Sequence, residues 1–225
     1  MSRPERDPLA FLRVRELTWL DLVLPDDTVA ALRSLAAAAA AGGLVAVIGG
    51  PAGAGKTIAA QTLAEQLRLD TWRLDCRLLV ELRGEAAAAA LPELIAVAER
   101  PHALLLAHDV EWLFQGRGEA GRRLLELARR RLPPTVLESR EPEGLSGLAD
   151  LPHVSIPFPG LDARRELWRR LAWRAHPLAR IDVDRLAEVL VTGAEIERAL
   201  DHAVAESGGA EPDTERLLAA LRPSR

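Results

Sequence analysis

At 225 residues, 48% of them hydrophobic and 28% charged, the chain has the composition of one globular α/β domain, or one with a small appendage. Its formal net charge of −4 excludes a general electrostatic attraction to nucleic acid or anionic lipid, and no apolar run approaches the roughly 20 residues that span a bilayer. The start of the chain is charged and proline-broken rather than signal-like, and the single Cys76 permits no intramolecular disulfide, so a cytoplasmic location is expected.

In chain order, residues 1–16 carry Pro4, Pro8 and many charges and read as a loosely held N-terminal arm. An apolar strip from Trp19 to Leu24 ends at Pro25. Asp27 is then expected to cap a helix from Thr28 to Ala41 with Val29, Leu32, Leu35 and Ala36 on one face. Its alanine run favours helix, and Gly42-Gly43 ends it. The β-branched run Leu44–Ile48 follows and predicts a buried strand.

The next residues, Gly50-Pro51-Ala52-Gly53-Ala54-Gly55-Lys56-Thr57, fit the spacing G-x-x-x-x-G-K-[ST]. Behind them Ile58–Leu67 has a helical apolar face, so the order is strand, glycine loop, helix. Each residue type suits an anion. Glycines bring backbone N–H groups close to phosphate oxygens, and the positive end of the helix dipole lies where the loop closes. Lys56 is expected to reach the β- and γ-phosphates and the Thr57 hydroxyl to ligate Mg²⁺. Gly50 to Ile58 are therefore candidate nucleotide-binding residues.

Further strands are predicted at Thr71–Asp75, Ala103–Ala107, Pro134–Glu138 and His153–Ile156, separated by helices at Glu85–Arg100 and Glu119–Arg131. Strands alternating with helices imply a five-stranded parallel sheet covered on both faces, over residues 17–160. From 161 to 225 the strand signals stop, and helices are expected at Asp162–Ala175, Asp182–Leu190, Gly193–Ser207 and Asp213–Leu221. Gly208-Gly209 reads as the turn between the last two. Trp168, Leu171 and Ala172 form a core stripe, Cys76 reads as a structural thiol, and the histidines lack metal-ligand spacing.

This order of parts resembles an AAA+ ATPase: an α/β P-loop NTPase domain followed by a small all-α lid. The residues that carry the likeness are Asp21–Asp27, Gly50–Thr57, Leu104–Phe114, Ile156–Pro159 and Val191–Ile196. It is most similar to classical-type bacterial AAA modules, including those encoded beside contractile injection (phage-tail-like) particles. The resemblance implies ATP or ADP with Mg²⁺, adenine contacts from Leu22 and Val23 in the strip and from Gly193 and Ala194 in the lid, and oligomers with other AAA-type subunits. It leaves the protein client open, and no membrane or nucleic-acid partner is expected.

The departures concern catalysis. The family's Walker B strand ends Asp-Glu, the first for Mg²⁺ and the second for the attacking water. Here the alignment puts His108 at the first place and Asp109 at the second; slipped by one, Asp109 becomes the Mg²⁺ ligand and Glu111 stands displaced. Asp109 and Glu111 are thus the candidate catalytic residues, and Thr57 and Asp109 the candidate metal ligands. The polar sensor falls near Ser139-Arg140, arginine fingers are absent from Ser146–Pro152, and the pore-loop position Val80–Gly84 has no aromatic. A chain that keeps the groups acting on bound phosphate and lacks those acting in the transition state should bind nucleotide and hydrolyse it poorly. The expected function is a nucleotide-dependent conformational or assembly switch. An active remodelling ATPase is the alternative, and a P-loop kinase a third reading.

Overall fold

A computed structural model describes residues 7–12, 16–41, 43–96, 102–130, 133–145, 147–175, 181–206 and 212–221. The chain divides into two units: residues 1–50 with 56–156, and residues 51–55 with 157–225. The first is built on a six-stranded sheet. Its strands are β1 (Leu9–Leu12), β2 (Val45–Gly49), β3 (Asp70–Asp75), β4 (Ala103–His108), β5 (Thr135–Ser139) and β6 (His153–Ser155), in the order β1-β3-β4-β5-β2-β6. All pairings are parallel except β1 with β3, which runs Leu9 opposite Leu74 to Leu12 opposite Thr71.

The parallel strands lack polar alternation because both of their faces are covered. Val45, Val47, Leu105, Ala107 and Leu137 bury one face against Leu79, Leu91, Leu113 and Leu124. Ala46, Ile48, Leu104, Leu106 and Val136, of opposite parity, are fully buried as well. The helices of this unit are α1 (Asp26–Ala40), α2 (Lys56–Gln66), α3 (Cys76–Arg83), α4 (Ala87–Ala96) and α5 (Glu119–Arg130).

Four local expectations are corrected. Residues 9–12 of the supposed arm form a sheet strand, because Phe11 packs on Trp72 at 5.5 Å between ring centroids and the edge of β3 offers backbone partners. The sheet therefore has six strands rather than five. Helix α1 starts at Asp26 with Pro25 before it, so Asp27 sits inside the first turn and accepts the Thr28 N–H at 2.6 Å. Cys76 opens a further helix, α3, whose N-cap Asp75 accepts the Leu78 N–H at 2.9 Å. The thiol is buried, and burial holds its pKa well above the ordinary value, as befits a packing residue. The expected Gly208-Gly209 turn, Gly42, Arg131, Ser146, Ser207 and residues 97–100 lie outside the described residues.

The second unit is helical apart from its loop segment: α6 (Leu161–Ala175), α7 (Val183–Ala187), α8 (Gly193–Glu206) and α9 (Thr214–Ala220). Trp168, Ala172, Leu186, Ile196, Leu200 and Leu217 form its core. Arg164, which sequence reasoning passed over, is buried there and donates Nε to the Ala187 carbonyl at 2.7 Å and Nη1 to that of Pro159 at 2.8 Å. It ties the start of the unit to its second helix. Among the described residues no helix is long and apolar enough to cross a membrane.

Candidate nucleotide site

Strand order places the site. β2 lies between β5 and β6, while the chain leaving β2 crosses to β3 and the chain leaving β5 crosses to β6. The two connections depart in opposite directions from neighbouring strands, the point at which open α/β sheets bind ligands beyond the carboxyl ends of their strands. Gly50 after β2, His108 at the end of β4 and Glu138 near the end of β5 all reach that edge.

Gly50 has φ +139°, and a Cβ there would stand 2.2 Å from the Ile156 carbonyl oxygen; only glycine fits. Lys56 opens α2 and is buried, its Nζ donating to the Gly50 carbonyl at 2.8 Å. Burial lowers the ammonium's pKa, while the negative charges of Glu138, Asp109 and Glu111 oppose that effect. Thr57 follows with its side chain directed to β5, and Ile58 is partly exposed in the same first turn.

Pro51 to Gly55 pack within the helical unit. The Ala194 N–H donates to the Gly53 carbonyl at 3.3 Å, and a Cβ on Gly53 (φ +75°) would meet Thr192 Oγ1 at 2.5 Å. Thr192 is fixed in turn by Glu195, whose carboxylate accepts both its N–H at 2.8 Å and its hydroxyl at 2.9 Å at the start of α8. Gly193 and Ala194 are thus brought against the loop. Leu22 and Val23 are half-buried after the single turn Trp19–Asp21 of the sheet unit.

The end of β4 differs from a paired Asp-Glu. His108 is its last residue, and its Nδ1 lies 2.6 Å from Glu138 Oε2. The same Glu138 oxygen accepts the Thr57 hydroxyl at 3.1 Å. The bond to Glu138, then the negative charges of Glu138 and Asp109, raise the imidazole's affinity for a proton against the effect of burial. Asp109 adopts a left-handed backbone, φ +52°, and its carboxylate stands 3.7 Å from His108 Nε2 and 3.8 Å from Arg140 Nε. Glu111 lies 3.8 Å from the same Arg140 nitrogen, with its Oε2 buried and unpartnered among the described residues.

Glu138 escaped the sequence reading. It is wholly buried, and its Oε1 also has no partner among the described residues. A carboxylate inside a strand otherwise made of Val, Leu, Thr and Ser was the available signal. The oxygen donors at this edge suit Mg²⁺, which prefers hydroxyl and carboxylate oxygens and is rarely enclosed by protein alone. Among the described residues no group of three or more His, Cys, Asp or Glu is placed to hold a metal ion by itself.

By sequence, no family model and no curated protein matches the chain. By fold it is similar to a structure solved for the self-assembly of katanin, an AAA+ ATPase. The TM-score is 0.71 at 16% identity, over 96% of this chain and 87% of that one. The fold is that of an AAA+ P-loop NTPase with a helical C-terminal part. At that identity the likeness establishes architecture, and function has to be argued from the site.

Proposed function

We propose that the chain is an ATP-binding AAA+-type module that acts as a nucleotide-dependent conformational or assembly switch, with weak or impaired hydrolysis. One observation carries the reading: Lys56 stands at the loop with its Nζ on the Gly50 carbonyl, while the end of β4 presents His108 where a metal-holding carboxylate is expected. Gly50 to Ile58 would hold the phosphates of ATP or ADP, with Lys56 on the β- and γ-phosphates. Leu22, Val23, Gly193 and Ala194 would flank the adenine. When bound, Mg²⁺ supplies charge neutralisation of the phosphates; Thr57 and one carboxylate from the end of β4 or β5 would hold it, the sequence alignment nominating Asp109. The link from Gly53 to Ala194 gives the loop a direct means of moving α8 within the helical unit.

Weak turnover follows from what surrounds the candidate catalytic carboxylates. Arg140 stands beside both Asp109 and Glu111, so neither presents an unopposed charge to a water. The active-ATPase reading is favoured by Glu111, whose buried Oε2 has no hydrogen-bond partner among the described residues. Oligomers with like or related AAA-type subunits are proposed, in the cytoplasm, and the self-assembly of the katanin neighbour supports testing for them first.

A fluorescent ATP analogue should bind the wild type and not Lys56→Ala; equal binding would refute the loop's role. Steady-state hydrolysis should fall far below about 1 s⁻¹, the lower end for ordinary enzymes. Turnover at or above that rate, abolished by Asp109→Asn, would favour the active remodelling enzyme instead.

A further inference from the structure

We infer that Glu138 is the carboxylate that anchors the divalent cation of a bound nucleotide, a task transferred from the end of β4 to the neighbouring strand β5. The inference rests on the nucleotide reading above. Parallel pairing sets Ala107 opposite Leu137 and Ile48 opposite Glu138, so Glu138 sits between the end of β4 and the strand that feeds the phosphate loop. Its Oε2 accepts the Thr57 hydroxyl proton at 3.1 Å, which leaves the hydroxyl's lone pairs for a cation. Its Oε1 is buried and without a partner among the described residues, a costly state for a carboxylate oxygen that a cation beside Thr57 would relieve.

Asp109 is placed otherwise. Its left-handed backbone carries its carboxylate to His108 Nε2 and Arg140, at 3.7 and 3.8 Å. His108 then has a positioning role. With a proton on Nδ1 it donates to Glu138 Oε2 at 2.6 Å and fixes the carboxylate, in the way an outer-shell partner orients a metal ligand. An imidazole, a poor Mg²⁺ ligand, thereby stands where a carboxylate is expected without removing the oxygen donor from the site.

The test is binding of a fluorescent ADP analogue to the full chain, in EDTA and in Mg²⁺. For the wild type and Asp109→Asn, Mg²⁺ should tighten binding by about tenfold or more, whereas Glu138→Gln should keep its metal-free affinity and lose the enhancement. A Glu138→Gln chain that still responds to Mg²⁺, or an Asp109→Asn chain that does not, overturns the inference and leaves the nucleotide reading standing. No binding by the wild type in either buffer overturns both. Glu138→Cys gives a second readout that a packing role would not move: the thiolate should shift the preferred metal from Mg²⁺ to Cd²⁺. An unchanged preference counts against the assignment even if Glu138→Gln folds poorly.

Discussion

The phosphate loop and the cluster at the ends of β4 and β5 are built from different materials. At Gly50 the structure depends on backbone: a positive φ, a carbonyl facing Lys56, and no room for a Cβ. At the end of β4 it depends on side chains, His108 against Glu138 and Asp109 against Arg140. A backbone cradle constrains its sequence tightly, since one added methyl group collides with Ile156. A side-chain cluster can exchange one charged group for another on a neighbouring strand, provided the donors and acceptors still match. Binding and turnover can therefore diverge within one fold.

The comparison can be broken first at Lys56. On the proposed contact of Lys56 with phosphate, replacing it with alanine should cost about 3 kcal/mol, roughly a hundredfold in affinity measured by fluorescence titration. An unchanged affinity would remove the loop from the argument. His108→Ala should destabilise the sheet unit by about 3 kcal/mol in denaturant unfolding, because it strips a buried carboxylate of one partner. A neutral result would mean that the imidazole and Glu138 are not coupled.

Smaller effects sharpen the contrast. Gly53→Ala should weaken nucleotide binding by about 2 kcal/mol, since the new Cβ meets Thr192 while the backbone holds a positive φ. Arg140→Ala should alter stability by less than about 0.5 kcal/mol, because its side chain is 55% exposed and its ion pairs are 3.8 Å long. The same variant should raise ATP turnover severalfold, since Arg140 stands beside both carboxylates; unchanged turnover would make it only a solvated neighbour.

Much of the fold could be read along the chain. The five parallel strands lie within two residues of their expected bounds, because buried β-branched and leucine runs between helical segments leave little choice. Strand β1 could not be read, since four residues acquire strand character only from the edge of β3. Helix α3 was hidden for a related reason: its cap, Asp75, is also the last residue of a strand.

The spacing of Gly50 to Thr57 could be read from sequence alone because it is local, but the need for glycine at Gly50 and Gly53 is tertiary, set by Ile156 and Thr192. The cluster around Glu138 was decided only by tertiary structure. Glu138 meets His108 from 30 positions away and Thr57 from 81, and parallel pairing through long crossovers brings them to one edge. Without that pairing the buried carboxylate is merely an acidic residue near the end of a strand, and the histidine merely a loss.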